Sequence, residues 1–226
     1  MRRSSRPRDE TAAVGADEIR RASAELGLAL TDTQAGKLAA YSGLLAKWNA
    51  VYNLTAIERP GDVLTHHLLD SLAIVPQVGA IARCAARVLD VGSGGGLPGI
   101  PLAIALPEAQ VTLLDAVRKK CAFMQQAKIA LGLQNVDVVH ARVETWRAPA
   151  FDVIVARACA DLPGLVRMTK HLVAPAGIWA AMKGALPSDE IAALPTSVDL
   201  LDAVKLRVPL LAAERHLILL RPRRLP

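Results

Sequence analysis

Cysteine is scarce in this chain of 226 residues: it has 3, Cys84, Cys121 and Cys159, and no two form a Cys-x-x-Cys pair. That excludes a disulfide framework and points to a reducing, cytoplasmic compartment. Long apolar runs are also missing. The longest uncharged stretch near the middle, Val91 to Pro107, is broken by 5 glycines and 3 prolines and is no membrane span. The paired Arg2 and Arg3 are not followed by an apolar segment of signal-peptide length, which argues against export. There is no internal repeat and no low-complexity tract. What is present is 52% hydrophobic and 21% charged, the composition of a folded chain with one large core.

The net charge of +6 is placed unevenly. Arg2, Arg3, Arg6 and Arg8 open the chain and Arg221, Arg223 and Arg224 close it; removing those seven from 27 leaves 20 Lys and Arg against 21 Asp and Glu. The body is therefore near neutral, and the two tails read as solvated arms that could touch a polyanion. Residues 1–15 are expected to be a basic flexible arm, 16–80 a helical extension and 81–226 the main unit, with the extension packed onto it as one body.

Asp17 to about Leu30 has a helical pattern. A second helix opens at Thr31, where Thr31 and Gln34 have capping-box spacing, and runs to about Asn49. Its residues Leu38, Tyr41, Leu45 and Trp48 make one apolar stripe, expected to pack on the main unit. A further helical segment carries His66, His67, Asp70 and Ser71. Strands are predicted at Arg87 to Val91, Gln110 to Leu114, Val136 to Val139, Phe151 to Val155 and Gly177 to Met182. Helices between them are predicted at Ile100 to Leu106, Val117 to Leu131 and Asp161 to Leu172. This alternation predicts an α/β fold, a mostly parallel sheet with helices on both faces. Ala203 to Val208 and Arg215 to Leu220, joined through Pro209, suit an antiparallel edge pair.

Val88 to Gly99 carries the chemistry. A β-rich run that breaks into glycines and then opens a helix puts backbone N–H groups at the carboxyl end of the first strand, where open α/β sheets bind ligands. Gly94, Gly96 and Gly99 fit a dinucleotide fingerprint, while Asp90, Gly92, Gly94 and Gly96 fit the Asp-x-Gly-x-Gly-x-Gly pattern of S-adenosylmethionine (SAM) enzymes. An acid at Asp90 opposes a pyrophosphate but favours a ligand with a sulfonium and an ammonium, so the second parse makes better use of it. Asp115, ending the next strand, can accept from ribose hydroxyls in either cofactor.

Val88 to Ile104 resembles the RsmG (GidB) family of bacterial small-subunit ribosomal RNA methyltransferases. Matching segments follow in order: Lys47-Trp48-Asn49 through Tyr52-Asn53-Leu54-Thr55, His67 to Ser71, Arg142-Val143-Glu144, Phe151-Asp152 through Arg157-Ala158, and Met182-Lys183-Gly184. The resemblance spans about Leu26 to Leu220. It implies a class I SAM-dependent methyltransferase with a Rossmann-like fold, which methylates guanosine N7 in 16S rRNA of the small subunit or an assembly intermediate. Carried over position by position, it implies cofactor contacts at Gly92, Leu97, Val143, Glu144 and Arg157. The arginine-rich amino-terminal extension has no counterpart in the pattern.

The residues themselves add Gly94, Gly96 and Asp115 to the cofactor set. Arg157 ends an apolar strand, where a guanidinium needs a partner or a cleft. Arg118, Lys119 and Lys120 occupy the first turn of a helix, where the macrodipole disfavours cations, and so suggest a nearby anion such as RNA phosphate. Lys183 and Asn53 complete the expected substrate contacts. Adjacent His66 and His67 point about 100° apart on a helix and cannot share a metal, so one of them is expected near the cleft and no metal is expected. Guanine N7 already offers a lone pair, so no general base is expected. After the fourth strand there is neither the Asn/Asp-Pro-Pro-aromatic run of amino-group methylases nor the Pro-Cys pair of cytosine C5 methylases, and Cys159 is expected to be a small buried residue. A monomer is expected. The competing readings are a small-molecule or protein methyltransferase on the same fold, and a nicotinamide-dependent oxidoreductase.

Overall fold

The structure, a computed structural model, describes residues 14–54, 59–82 and 85–223. The four amino-terminal arginines, Thr55, Cys84 and Arg224 lie outside the described residues. Val14, assigned above to the arm, belongs to the folded body and is only 6% exposed.

Helix α1 (Ala16–Ala24) ends earlier than its apolar pattern suggests. Gly27 has φ 75°, and the amides of Gly27 and Leu28 turn back to the carbonyls of Ala24 and Ser23. This is a Schellman stop that a glycine makes available. Helix α2 (Asp32–Tyr52) begins at the expected capping box, with Gln34 N–H donating to Thr31 Oγ1 and Thr31 N–H to Gln34 Oε1. The same Gln34 side chain donates to the carbonyls of Ile104 and Ala105 and so fastens α2 to the end of the helix that follows the glycine loop. Next come α3 (Pro60–Asp62), a π-helical stretch (Val63–Leu69) and α4 (Asp70–Leu72), one after another, and then α5 (Val75–Ile81).

Seven strands follow: β1 (Arg87–Val91), β2 (Gln110–Asp115), β3 (Val136–His140), β4 (Phe151–Arg157), β5 (Val173–Lys183), β6 (Val198–Leu206) and β7 (Arg215–Pro222). They form one sheet in the order β3-β2-β1-β4-β5-β7-β6. The first five are parallel, while β7 runs antiparallel to both β5 and β6. The strand order reverses between β1 and β4, so the ligand crevice of an open α/β sheet lies above their carboxyl ends. Because β7 is antiparallel, its first residues lie at that same edge, with His216 opposite Lys183.

Strand alternation divides the core. Val88, Val153 and Val155 pack with α1, α2, α6 (Gly99–Ala105) and α7 (Arg118–Leu131) on one face. Leu89, Val91, Ile154 and Ala156 pack with α8 (Leu162–Thr169) on the other. The stripe Leu38, Tyr41 and Leu45 is fully buried in the first cluster, and Trp48 sits edge-on to Phe123 at 5.6 Å.

Two further expectations need correction. The edge strand β6 starts at Val198, ahead of the expected Ala203, with a bulge between Leu200 and Asp202. Leu200 and Leu201 are both exposed, so no inward and outward alternation marks its start. Arg221 and Arg223 do not belong to a free arm: Arg221 lies in β7, and it and Arg223 both pair with Asp199 of β6, at 3.6 and 2.7 Å.

Candidate active site

The glycine loop connects β1 to α6. Gly92, Gly94 and Gly96 have φ of 69°, 58° and 82°, the left-handed region where a β-carbon is strained. At Gly96 a β-carbon would also clash with the Ile100 side chain. The loop's amides are largely spent on the protein itself. Gly92 and Ser93 donate to Leu114 O, Gly96 and Leu97 donate to Ser93 O, and Gly94 donates to Asp115 Oδ2 at 2.9 Å. A pyrophosphate cradle needs such amides aimed at the ligand, so this loop suits a phosphate-free cofactor. Asp115 is 5% exposed, and its Oδ1 accepts from Val117 N–H at 2.8 Å. Each of its oxygens keeps acceptor capacity for a ribose hydroxyl.

Asp90 plays a different part from the one expected of it. It is fully buried beneath the loop, where Oδ2 accepts from Gly99 N–H at 2.9 Å and pins the start of α6. Burial pushes its pKa up to about 7, against the opposing pull of the Gly99 amide, Ser93 and Arg157. With no surface exposed, this acid braces the backbone from beneath the loop. Tyr41 also braces the loop: its buried hydroxyl donates to Gly95 O from the α2 stripe, and burial raises its pKa. The stripe packs on the main unit as expected, and this one member reaches the site as well.

Across β4 from the loop lies a cleft of about 470 Å³. His66, His67, Asp70, Arg157, Lys183 and Arg215 supply its polar lining. Arg157 Nη1 donates to His66 O at 2.9 Å and to Asp70 Oδ2 at 3.2 Å, and Arg215 Nε donates to Asp70 Oδ1 at 2.8 Å. Burial and the nearby Arg157 charge push His67 down to about 4, so it is neutral at pH 7. Both histidines line the cleft, where only one was expected. Among the described residues no cluster of three or more His, Cys, Asp or Glu could hold a metal.

The other predicted residues divide into two groups. Leu97 and Val143 are buried beside the loop and after β3, while Glu144 is exposed in the turn that follows β3. Lys183 lines the cleft, but its ammonium is engaged by Glu190 at 2.8 Å and by Ala160 O at 2.9 Å. Arg118 and Lys119 are exposed at the start of α7, where Lys119 Nζ donates to Tyr52 O, and Lys120 sits 3.9 Å from Asp115. Asn53 caps α2 with φ 49°, a left-handed position that asparagine tolerates. Arg118, Lys119 and Asn53 therefore stand at the α2–α7 edge, apart from the cleft. Cys159, expected to be buried, is exposed and faces Gly92, because the chain turns outward at Ala158 with φ 52°. The sequence reading did not single out Asp70 and Arg215 as site residues. For Arg215 the available signal was a charged residue at the cleft end of an apolar strand, while Asp70 sits on a helix, α4, with no such mark.

The family model for rRNA small subunit methyltransferase G matches residues 34–218. The ribosomal RNA small subunit methyltransferase G of Burkholderia thailandensis is 59% identical over 199 residues, 85% of each chain. That of Burkholderia pseudomallei is 58% identical over the same length. Among solved structures, TrmN from Thermus thermophilus superposes with a TM-score of 0.55 at 24% identity, covering 74% of this chain and 55% of that one. The ribosomal protein L11 methylase from Lactobacillus delbrueckii subsp. bulgaricus gives 0.54 at 15% identity, covering 69% and 79%. At these identities the two structures speak for the α/β Rossmann-like fold alone.

Proposed function

The chain belongs to the rRNA small subunit methyltransferase G family, and from that membership we propose that it methylates N7 of a guanosine in 16S rRNA, using SAM. It is a SAM-dependent methyltransferase of ribosomal RNA. The finer reading covers the N7 position, a small subunit or its assembly intermediate as the substrate, and action as a cytoplasmic monomer. No described helix is long and apolar enough to cross a membrane.

One observation carries the reading. A loop whose amides are bonded internally, beside the ribose-competent Asp115, lies next to a cleft walled by arginines. Gly92, Gly94, Gly96, Leu97, Asp115, Val143, Glu144 and Arg157 are the residues proposed to hold the cofactor. Asn53, Arg118, Lys119, Lys120 and Lys183 are proposed to face the RNA. Bound SAM supplies an electrophilic methyl group on a sulfonium. Guanine N7 carries its own lone pair, so the residues here need not remove a proton before transfer. Their work is to orient the purine and to exclude water, which can account for most of the acceleration. His67, neutral at pH 7, adds no cation to repel the developing positive purine.

The test is incubation of the protein with labelled SAM and small subunits from cells lacking the gene, followed by nucleoside analysis. Label in 7-methylguanosine is the expected result. Label elsewhere in the RNA would overturn the N7 assignment, and label only in protein or small molecules would favour the other methyltransferase reading.

A further inference from the structure

The cleft wall contains an arrangement that cofactor binding does not require: two guanidinium groups held by one carboxylate. Asp70 is 3% exposed and gives one oxygen to Arg157 and the other to Arg215. In the π-helical stretch before it, the His66 carbonyl accepts a second bond donated by Arg157 Nη1. Arg215 is steadied from the other side by Nη1 donating to Glu214 O. Each guanidinium carries five N–H donors. These contacts use one nitrogen of Arg157 and two of Arg215, and both side chains remain 21% exposed to the cleft.

The charges do not balance. Arg157 and Arg215 contact one Asp70, Lys183 is matched by Glu190, and the further acid within reach of the Arg157 charge, Asp90, makes no contact with it and is buried under the loop, which raises its pKa. A partly buried surplus of one positive charge is unfavourable without a counter-ion, and paired forks with spare donors suit a tetrahedral oxyanion. Position selects which anion. Arg215 enters on β7, three strands from β1 in the sheet order. That is roughly 14 Å at about 4.8 Å per strand, away from a cofactor seated over β1 and β2.

Resting on the RNA methyltransferase reading above, we propose that Arg215 grips a backbone phosphate of the RNA strand beside the target guanosine, that Arg157, assigned above to the cofactor, stands between the two ligands on β4, and that Asp70 is the positioning residue that fixes both guanidiniums. A phosphate held here anchors the strand over the carboxyl ends of β4 and β5. The neighbouring base can then lean across β4 toward the glycine loop.

The experiment measures methylation of unmethylated small subunits across a salt series, with SAM affinity measured separately by calorimetry. Arg215→Gln should raise KM for the subunits about tenfold. The slope of log KM against log salt should fall by about one, and SAM affinity should stay within twofold. Arg215→Lys keeps the charge but not the fork, so it should keep the slope and raise KM less. An unchanged slope in Arg215→Gln would overturn the proposal. So would a loss of SAM affinity equal to the KM effect, because the anion would then be the cofactor's carboxylate. Should Arg215→Gln lack a cooperative melting transition, Arg215→Lys decides alone, and a wild-type KM for it counts against the site. Wild-type protein that labels no RNA overturns both this proposal and the functional reading. Normal wild-type labelling with unaltered variants overturns the phosphate site only.

Discussion

The two halves of the candidate active site are built from different materials. Over β1 and β2 the protein presents backbone: three glycines at positive φ, amides bonded to the loop itself and to the end of β2, and a carboxylate already tied at both oxygens. Over β4, β5 and β7 it presents charge: Arg157, Arg215, Asp70 and Lys183, from four separate elements. The first half is shaped by what side chains are absent, so its geometry tolerates little. The second is shaped by long side chains held by partners, so its affinity responds to salt and to single charge changes.

The largest expected effect comes from breaking the first half. Gly94→Val forces a β-branched residue to φ 58°, and calorimetry should show no measurable SAM binding by a protein that still melts cooperatively. Undiminished binding would mean that the loop is not the cofactor seat. In the second half, Arg157→Ala should lower turnover at least about tenfold, equivalent to about 1.4 kcal/mol of transition-state stabilisation. The melting temperature should change little, because Asp70 keeps Arg215. If activity survives while stability falls, Arg157 is only a structural ion pair.

A pH experiment separates the two halves further. Asp90 has its pKa raised from 3.8 to about 7, so the stability it contributes is full below pH 3.8 and is lost as pH rises through about 7. His67 is lowered from 6.5 to about 4. Its contribution is present above pH 6.5 and is lost as pH falls through about 4. The two slopes oppose each other in wild-type protein. Asp90→Asn keeps an acceptor for Gly99 N–H and removes only the loop-side slope. Its stability relative to wild type, from denaturant midpoints, should therefore climb between pH 4 and 7. A difference that stays flat would show Asp90 to be ionised in the fold.

Smaller effects are expected at the edges of both halves. Tyr41→Phe removes the buried donor to Gly95 O, a loss of about 1 kcal/mol, and should weaken SAM binding severalfold without altering the salt slope. Removing Met1 to Arg8 should slightly flatten the salt dependence of subunit binding and leave SAM affinity unchanged. Equal slopes would make that arm a bystander.

This difference in materials also governs what the sequence discloses. Apart from Asp115 at the end of β2, the loop half is contiguous, from Val88 to Gly99, and backbone constraints leave a local signature in glycine spacing. The cleft half joins residues 66, 70, 157, 183 and 215, and no local pattern connects them until the antiparallel β7 is placed beside β5. Asp90 was legible as part of a motif but not as a buried acid, because spacing carries no information on solvent access. The early end of α1 was visible in Gly27 and was outweighed by the apolar pattern around it. The start of β6 was hidden because an exposed edge need not alternate.

The position of β7 has a consequence for the order in which the molecule can be assembled. Its β6 neighbour comes earlier in the chain yet pairs with no other strand. As synthesis proceeds, the five parallel strands can join in succession, but β6 must wait as an unpaired edge until β7 is made and slides in between. Arg215 arrives with that same insertion. The nascent protein can thus shape its cofactor loop before it has a complete cationic cleft, so the half that would hold nucleic acid is the last to be finished.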